Sequence, residues 1–286
     1  HYTTYRLTVG SESVDLRGIF TSDSAPIVLI VGDRGTILRF ENSGSDFLLE
    51  PTDTKARLEA VWTDPQAKSA WAVGAGGTIL RRGPQGSWSS VPSPTSEDLE
   101  DIWGAAPNAI FAVGAQGTFL RYDGQTWRAI ALPGQLATQH FTALYGRSDR
   151  EVYAVSLEGN LLRYDGSVAQ RQPGPTAGDR QIVVDLWGDG RHLYALRSPR
   201  DPTPESESDV LRYDGLAWRP LGPPIRAALT AASAPSGALM AGRSGAMAWI
   251  WAKTSYRLVV RPLPAASPME QLVSGMVEVS ASREVW

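Results

Sequence analysis

The side chains best equipped for chemistry are few and scattered. There are three histidines, His1, His140 and His192, and no cysteine. A metal centre needs such ligands at short, regular spacing, and no HExxH or comparable pattern occurs. Without cysteine there is no thiolate ligand, cysteine nucleophile or disulfide. His140 precedes a strand-like segment and His192 lies between two of them, so both read as solvated loop residues. The glycine clusters at 74–77 and 114–117 do not open a helix, so a phosphate would meet no helix N-terminus there. The Asp-Gly pairs at 123–124, 165–166 and 214–215 lack the D-x-D-x-D-G run of a calcium loop. They read instead as two-residue type I′ hairpin turns, in which both residues take positive φ. No catalytic constellation emerges, and neither cofactor nor metal is expected.

Three further groups are candidates for binding. The run "RSPRDPTPESESDV" (197–210) holds Asp201, Glu205, Glu207 and Asp209. It reads as a solvated acidic loop or as a lip that meets a basic partner or a cation. Arg39, Arg81, Arg121, Arg163 and Arg212 recur in one register. They should therefore project alike, either as hydrogen bonds between neighbouring units or as an anion-binding ring. Trp249 and Trp251 are two apart, so on a strand they share a face, for packing or for stacking on a sugar.

The elements that must position these residues are repeats. "GTILRF" starts at Gly35, "GTILRR" at Gly77, "GTFLRY" at Gly117 and "GNLLRY" at Gly159, in steps of 42, 40 and 42 residues. A fifth copy, "DVLRYDG", follows with Ser208 at the equivalent position, and a weaker sixth starts at Gly245. Two short segments precede each copy, such as "LEDIWG" and "IFAVG", and a Trp-bearing segment such as "TWRAIAL" follows it. One unit thus holds four strand-length segments bounded by turn residues, and a helical period is nowhere sustained. Four antiparallel strands recurring at this period predict a β-propeller, whose blades hide their apolar faces only against each other. Trp62, Trp103, Tyr145 and Trp187 are expected to fill the wedges between blades.

The expected architecture is all-β: a seven-bladed propeller of four-stranded antiparallel blades forming one domain over 1–286. The blades fall at about 14–52, 57–92, 98–132, 141–172, 182–222 and 228–263. A closing blade is shared by both termini, from 270–286 and 1–10; a six-bladed ring is the alternative. Roughly one hairpin is missing at this joint, so the chain reads as processed or truncated. An apolar fraction of 42% with 20% charged residues suits a folded soluble protein. A net charge of −3 provides no basic excess for nucleic acid. No apolar run reaches membrane-spanning length.

"AVGAGGTILRRGPQGSW" (72–88) and "AVGAQGTFLRYDGQTW" (112–127) resemble the repeats of the BNR/Asp-box-like propeller superfamily. They are similar in particular to photosystem II assembly and stability factors, and to repeat propellers in surface and secreted proteins of myxobacteria. The resemblance covers about residues 16–263 and implies the fold. The sialidase Asp-box has one residue between Asp and Gly, whereas Asp123 and Gly124 are adjacent. No sialidase catalytic residue can be placed, so glycoside hydrolysis is not implied. The expectation is a non-catalytic, extracytoplasmic binding or scaffold module for a protein or glycan. Its site is expected on the face of the turns between second and third segments and of the connections between units. Asp33, Arg34, Gln116, Glu158, Asp201, Glu205, Glu207 and Arg243 are the candidates there. A subunit or assembly factor of a larger complex, and a carbohydrate-active hydrolase or lyase, are the rival readings.

Overall fold

Short turns between the four segments of a unit leave each segment to pair with the next, and that is the observed sheet topology. The computed structural model describes residues 8–9, 12–21, 27–41, 48–64, 69–83, 85–176, 178, 180–201, 203, 207–225, 229–233, 237–242, 247–251 and 259–261. Among them are six four-stranded antiparallel sheets and one two-stranded sheet. Blade 1 comprises Leu16–Thr21, Ile27–Gly32, Ile37–Glu41 and Leu48–Glu50. Blade 2 comprises Leu58–Thr63, Ala70–Gly74, Thr78–Arg82 and Trp88–Ser90. Blade 3 comprises Leu99–Ala106, Ala109–Gly114, Phe119–Tyr122 and Trp127–Ala129. Blade 4 comprises Phe141–Ser148, Glu151–Ser156, Leu161–Tyr164 and Ala169–Gln172. Blade 5 comprises Gln181–Gly188, Leu193–Pro199, Asp209–Tyr213 and Trp218–Pro220. Blade 6 comprises Leu229–Ser233, Gly237–Gly242, Met247–Trp251 and Val259–Arg261. Of the closing blade expected at 270–286 and 1–10, only Thr8–Val9 is among the described residues; it pairs with Glu12–Ser13.

The core lies between blades. Trp62, Trp71 and Val73 of blade 2 form one cluster with Leu99, Ile102, Tyr122 and Trp127 of blade 3. Phe111 and Phe119 of blade 3 meet Phe141 and Tyr164 of blade 4. Blades 1 and 2, and blades 4 and 5, share clusters in the same way. Each such buried ring contributes about 2–3 kcal/mol relative to exposure. Second strands are covered on both faces, so Ala70–Gly74 and Ala109–Gly114 are buried throughout.

First strands of consecutive blades lie side by side. Their fit depends on glycine after the aromatic residue. A methyl group at Gly104 would stand 2.6 Å from the Trp62 ring, and at Gly146 2.3 Å from Trp103. The equivalent group at Gly188 would meet Tyr145 at 2.5 Å. The side chains of Trp62, Trp103 and Tyr145 therefore sit on the glycine of the next first strand, in the wedge position expected of them.

The Asp-Gly turns differ from expectation. Gly124, Gly166 and Gly215 have φ of 97–99°, but their aspartates do not have positive φ. Each turn is a four-residue loop closed by the aspartate side chain. Asp123 Oδ1 accepts the N–H groups of Gln125 and Thr126 at 2.9 Å, and Asp165 and Asp214 repeat the pattern. The preceding tyrosine completes it: the hydroxyls of Tyr122, Tyr164 and Tyr213 donate to the glycine carbonyls at 2.7–3.0 Å. The aspartate side chain replaces the backbone conformation that a type I′ turn would need.

Candidate functional site: a charged belt at the end of the first strands

The first strands of blades 1 to 5 each carry a β-bulge near their start. The register slips between Leu16 and Gly18, Leu58 and Ala60, Leu99 and Asp101, Phe141 and Ala143, and Val183 and Asp185. A bulge leaves the extra residue unpaired and re-aims its side chain. The extra residues are Arg17, Glu59, Glu100, Thr142 and Val184. The turn between second and third strands docks against the residue before each first strand. Asp33, Ala75, Ala115 and Leu157 donate backbone N–H groups to the carbonyls of Asp15, Arg57, Asp98 and His140 at 2.8–3.0 Å. These two features bring the side chains of blades 1 to 4 together at one end of the sheets.

The result is a chain of ion pairs crossing the seams. Arg17 Nε donates to Asp33 at 2.7 Å and Arg17 Nη1 lies 3.9 Å from Glu59. Arg57 pairs with Glu59 and, at 3.1 Å, with Asp98 of the next blade. Asp98 also accepts the Gly76 N–H at 2.7 Å. His140 Nε2 lies 3.1 Å from Glu100 of the preceding blade. Glu158 accepts from the Ser156 hydroxyl at 3.1 Å. Hydrogen bonds to Asp33 and Glu59 hold Arg17 and Arg57 above the ordinary guanidinium value. The His140 imidazole is pushed up by its bond to Glu100, against partial burial. Burial lifts Glu59, with the bond from Arg57 pulling the other way.

Just inside the belt, Asp101 joins two blades. Its carboxylate accepts the N–H of Ile102 at 2.7 Å and, across the seam, that of Leu144 at 2.8 Å. Burial among the first strands pushes its pKa up to about 7, despite the Leu144 N–H, with Asp185 adding repulsion.

Of the residues singled out from sequence, Asp33 and Glu158 belong to this belt. Arg34 and Gln116 stand at the exposed tips of the adjoining turns in the left-handed region, with φ of 60° and 52°. Blade 2 has Gly76 at the same position, with φ of 63°. Asp201 and Glu207 are exposed, whereas Asp209 is buried in a two-fold pair with Arg197 that closes the neck of the acidic lip. Glu205 and Arg243 lie outside the described residues, as do the side chains of Trp249 and Trp251. Arg17, Arg57, Glu59, Asp98, Glu100 and His140 were not anticipated. Glu59 did leave a trace: it interrupts the otherwise apolar segment LEAVW.

The five recurring arginines share a register but not a fate. Each pairs with the same position of its second strand: Leu29, Trp71, Phe111, Tyr153 or Tyr194. Arg81 and Arg121 lie over the rings of Trp71 and Phe111 at 5.2 and 5.9 Å. Arg39 donates to Glu50 at 2.6 Å. Glu50 also accepts from Arg82 at 2.7 and 2.9 Å and from Trp88 Nε1 at 2.7 Å, all from blade 2. Burial alone would raise the Glu50 carboxyl, but the Arg82 and Trp88 hydrogen bonds hold it below its ordinary value. Their contacts therefore differ from blade to blade.

Among the described residues, no group of three or more His, Asp or Glu side chains is arranged to hold a metal ion. No helix among them is long and apolar enough to cross a membrane.

Comparison with known proteins places the architecture. No protein-family model and no curated protein sequence matches the chain. Solved structures do. Virginiamycin B lyase from Staphylococcus aureus superposes with a TM-score of 0.72 at 15% identity, covering 91% of this chain and 88% of that one. YCF48 from Cyanidioschyzon merolae gives 0.62 at 13% identity, over 94% and 89%. YCF48 bound to D1 peptide gives 0.61 at 13% identity, over 86% and 80%. These neighbours are β-propellers, and the chain shares that fold with them.

Proposed function

We propose that this chain is a non-catalytic binding propeller that holds a polypeptide partner against the charged belt. The observation that carries the reading is the belt itself. Blades 1 to 3 deliver charged side chains to one end of the first strands through a repeated bulge, and blade 4 adds His140 and Glu158 beside it. The charges alternate in sign and are partly exposed, which suits selection among partners by charge pattern. Arg34 and Gln116 beside it keep a backbone conformation that favours glycine, the kind of strain that collects at binding surfaces. A propeller neighbour bound to a peptide is compatible with this use of the fold. The same reading completes the ring as seven blades and takes the chain to act outside the cytoplasm, where the lack of cysteine carries no penalty. A glycan partner, or service as a subunit or assembly factor of a larger complex, would use the same face.

The rival reading, a hydrolase or lyase, draws on Asp101 and its raised pKa. Both Asp101 oxygens already accept backbone N–H groups, which supports a clasp between blades rather than an acid or base. The test is a peptide array and a glycan array probed with wild type and with Arg57→Ala/His140→Ala. Peptide binding that falls at least about ten-fold in the variant is expected, the cost of one or two charge-assisted contacts. Retention only of glycans, or peptide binding indifferent to the belt, would overturn the reading.

A further inference from the structure

We infer that the seam between blades 4 and 5 binds a small carboxylate, in the place that a glutamate of the protein fills between blades 1 and 2. The inference rests on register. Glu50 pairs with Ile37, two residues before Arg39. In blade 4 the equivalent of Arg39 is Arg163, and the residue paired with Leu161, two before it, is Gln172. At the same position blades 2, 3 and 5 have Val91, Ile130 and Leu221, whose N–H groups bond to Ile79, Phe119 and Val210. Among blades 1 to 5, only blades 1 and 4 are polar there and only blade 1 is charged; in blade 6 the residue paired with Met247 is Arg261.

The change has visible consequences. Between blades 1 and 2, Arg39, Arg82 and Trp88 all converge on the Glu50 carboxylate. Between blades 4 and 5 the equivalent of Trp88 is Trp218, and its Nε1 donates to the Pro173 carbonyl at 2.9 Å instead. In seams 2/3 and 3/4 an aromatic pair closes the same place: Trp71 with Tyr122 at 4.6 Å, and Phe111 with Tyr164 at 5.8 Å. Seam 4/5 has instead an open cleft of about 310 Å³, lined by Arg147, Tyr153, Arg163, Gln172, Arg191 and Tyr213 with Leu193, Asp214 and Gly215.

The charge in the cleft is one-sided. Arg147 is engaged by Glu151 at 2.9 Å and by the Arg191 carbonyl at 2.9 Å. Among the described residues, no ion pair is formed by Arg163 or by Arg191. The one lining carboxylate, Asp214, accepts the N–H groups of Leu216 and Ala217 and pairs with Arg219 at 3.2 Å. A forked guanidinium matches a carboxylate with two parallel hydrogen bonds. The half-buried Tyr213 ring offers an apolar face beside it, and the volume suits one sugar-sized ring. A sugar acid therefore fits the chemistry. The cleft lies at the opposite end of the strands from the belt, so it stands or falls independently of the polypeptide partner.

The test uses the full chain and D-glucuronate, titrated calorimetrically into wild type, Arg163→Gln and Gln172→Glu, with D-glucose and acetate as controls. Saturable glucuronate binding, competition by acetate and none by glucose are expected. Both variants should bind at least about ten-fold more weakly, one by losing the guanidinium fork and the other by supplying the anion from within. Gln172→Glu should also unfold at a higher temperature than wild type. If Arg163→Gln does not fold, the Gln172→Glu arm decides. Lack of binding up to about 10 mM glucuronate, equal binding of glucose, or binding unchanged in Gln172→Glu would overturn the assignment.

Discussion

Seam 1/2 and seam 4/5 are built on the same backbone register and treat charge in opposite ways. In the first, Glu50 is buried among two guanidiniums and an indole N–H and is satisfied by the protein itself. In the second, an uncharged Gln172 stands in that place, and Arg163 faces an open cleft. The difference teaches that the blade fixes where a side chain points, not whether its charge is neutralised. One seam is a clasp and the other an open cleft: Gln172 replaces Glu50, and Tyr213 stands where Arg82 stands in the clasp. The belt follows the same logic at the other end of the strands: one bulge position carries Arg17, Glu59 and Glu100 in turn, then Thr142 and Val184.

The comparison can be broken most severely at an uncharged seam. Trp71→Ala removes the ring that packs on Tyr122 and Trp127 at 4.6 and 5.5 Å. A loss of about 3–5 kcal/mol is expected in urea unfolding, and less than about 1 kcal/mol would mean that the seams are not the core. Glu50→Gln removes the anion from the clasp. Two partly buried guanidiniums lose their counter-charge, so about 3 kcal/mol should be lost in the same assay, and added acetate should restore part of it.

The axial groups give a pH dependence. Asp101, raised above its unfolded value of 3.8 to about 7, binds a proton more readily folded than unfolded. Its contribution is therefore complete below about pH 4 and is lost as pH rises through about 7, on the order of 4 kcal/mol. His140, raised above 6.5, has the same sign at higher pH and adds little because it is exposed. Glu50, Asp123, Asp165 and Asp214 are lowered, so their contribution is lost as pH falls below the usual carboxylate range. Stability should thus be greatest in mild acid, and Asp101→Asn should flatten the slope between about pH 4 and 7. A wild-type maximum at alkaline pH would contradict this.

Gln172→Glu sharpens the comparison from the other side, with an expected gain of about 1 kcal/mol in thermal unfolding. The smallest effect is at the turn tips. Gln116→Gly relieves a φ of 52° and should change stability by no more than about 1 kcal/mol, towards stabilisation. Its cost should appear instead in partner binding.

Much of the scaffold was legible in the residues. The Tyr-Asp-Gly triplets, the fully apolar second segments and the aromatic of each first segment all have the local roles that their types suggest. The type I′ expectation failed because Asp123 had another way to close the turn, through its side chain. The belt was legible only in part. Asp33 and Glu158 followed from topology, but His140 read as a solvated loop residue because Glu100 lies 40 positions away in another blade. Gln172 carried no signal at all, since its meaning depends on alignment with Glu50 through short, divergent fourth strands.

What the sequence determined alone is therefore the repeating sheet and the order of its strands. Alternation, turn chemistry and glycine placement act over a few residues and recur with the period. What only the tertiary structure decided is which charges meet. Glu50 finds Arg82 across 32 positions and Asp101 finds the Leu144 N–H across 43. Such pairs are set by the packing of one sheet against the next, and no local pattern encodes them.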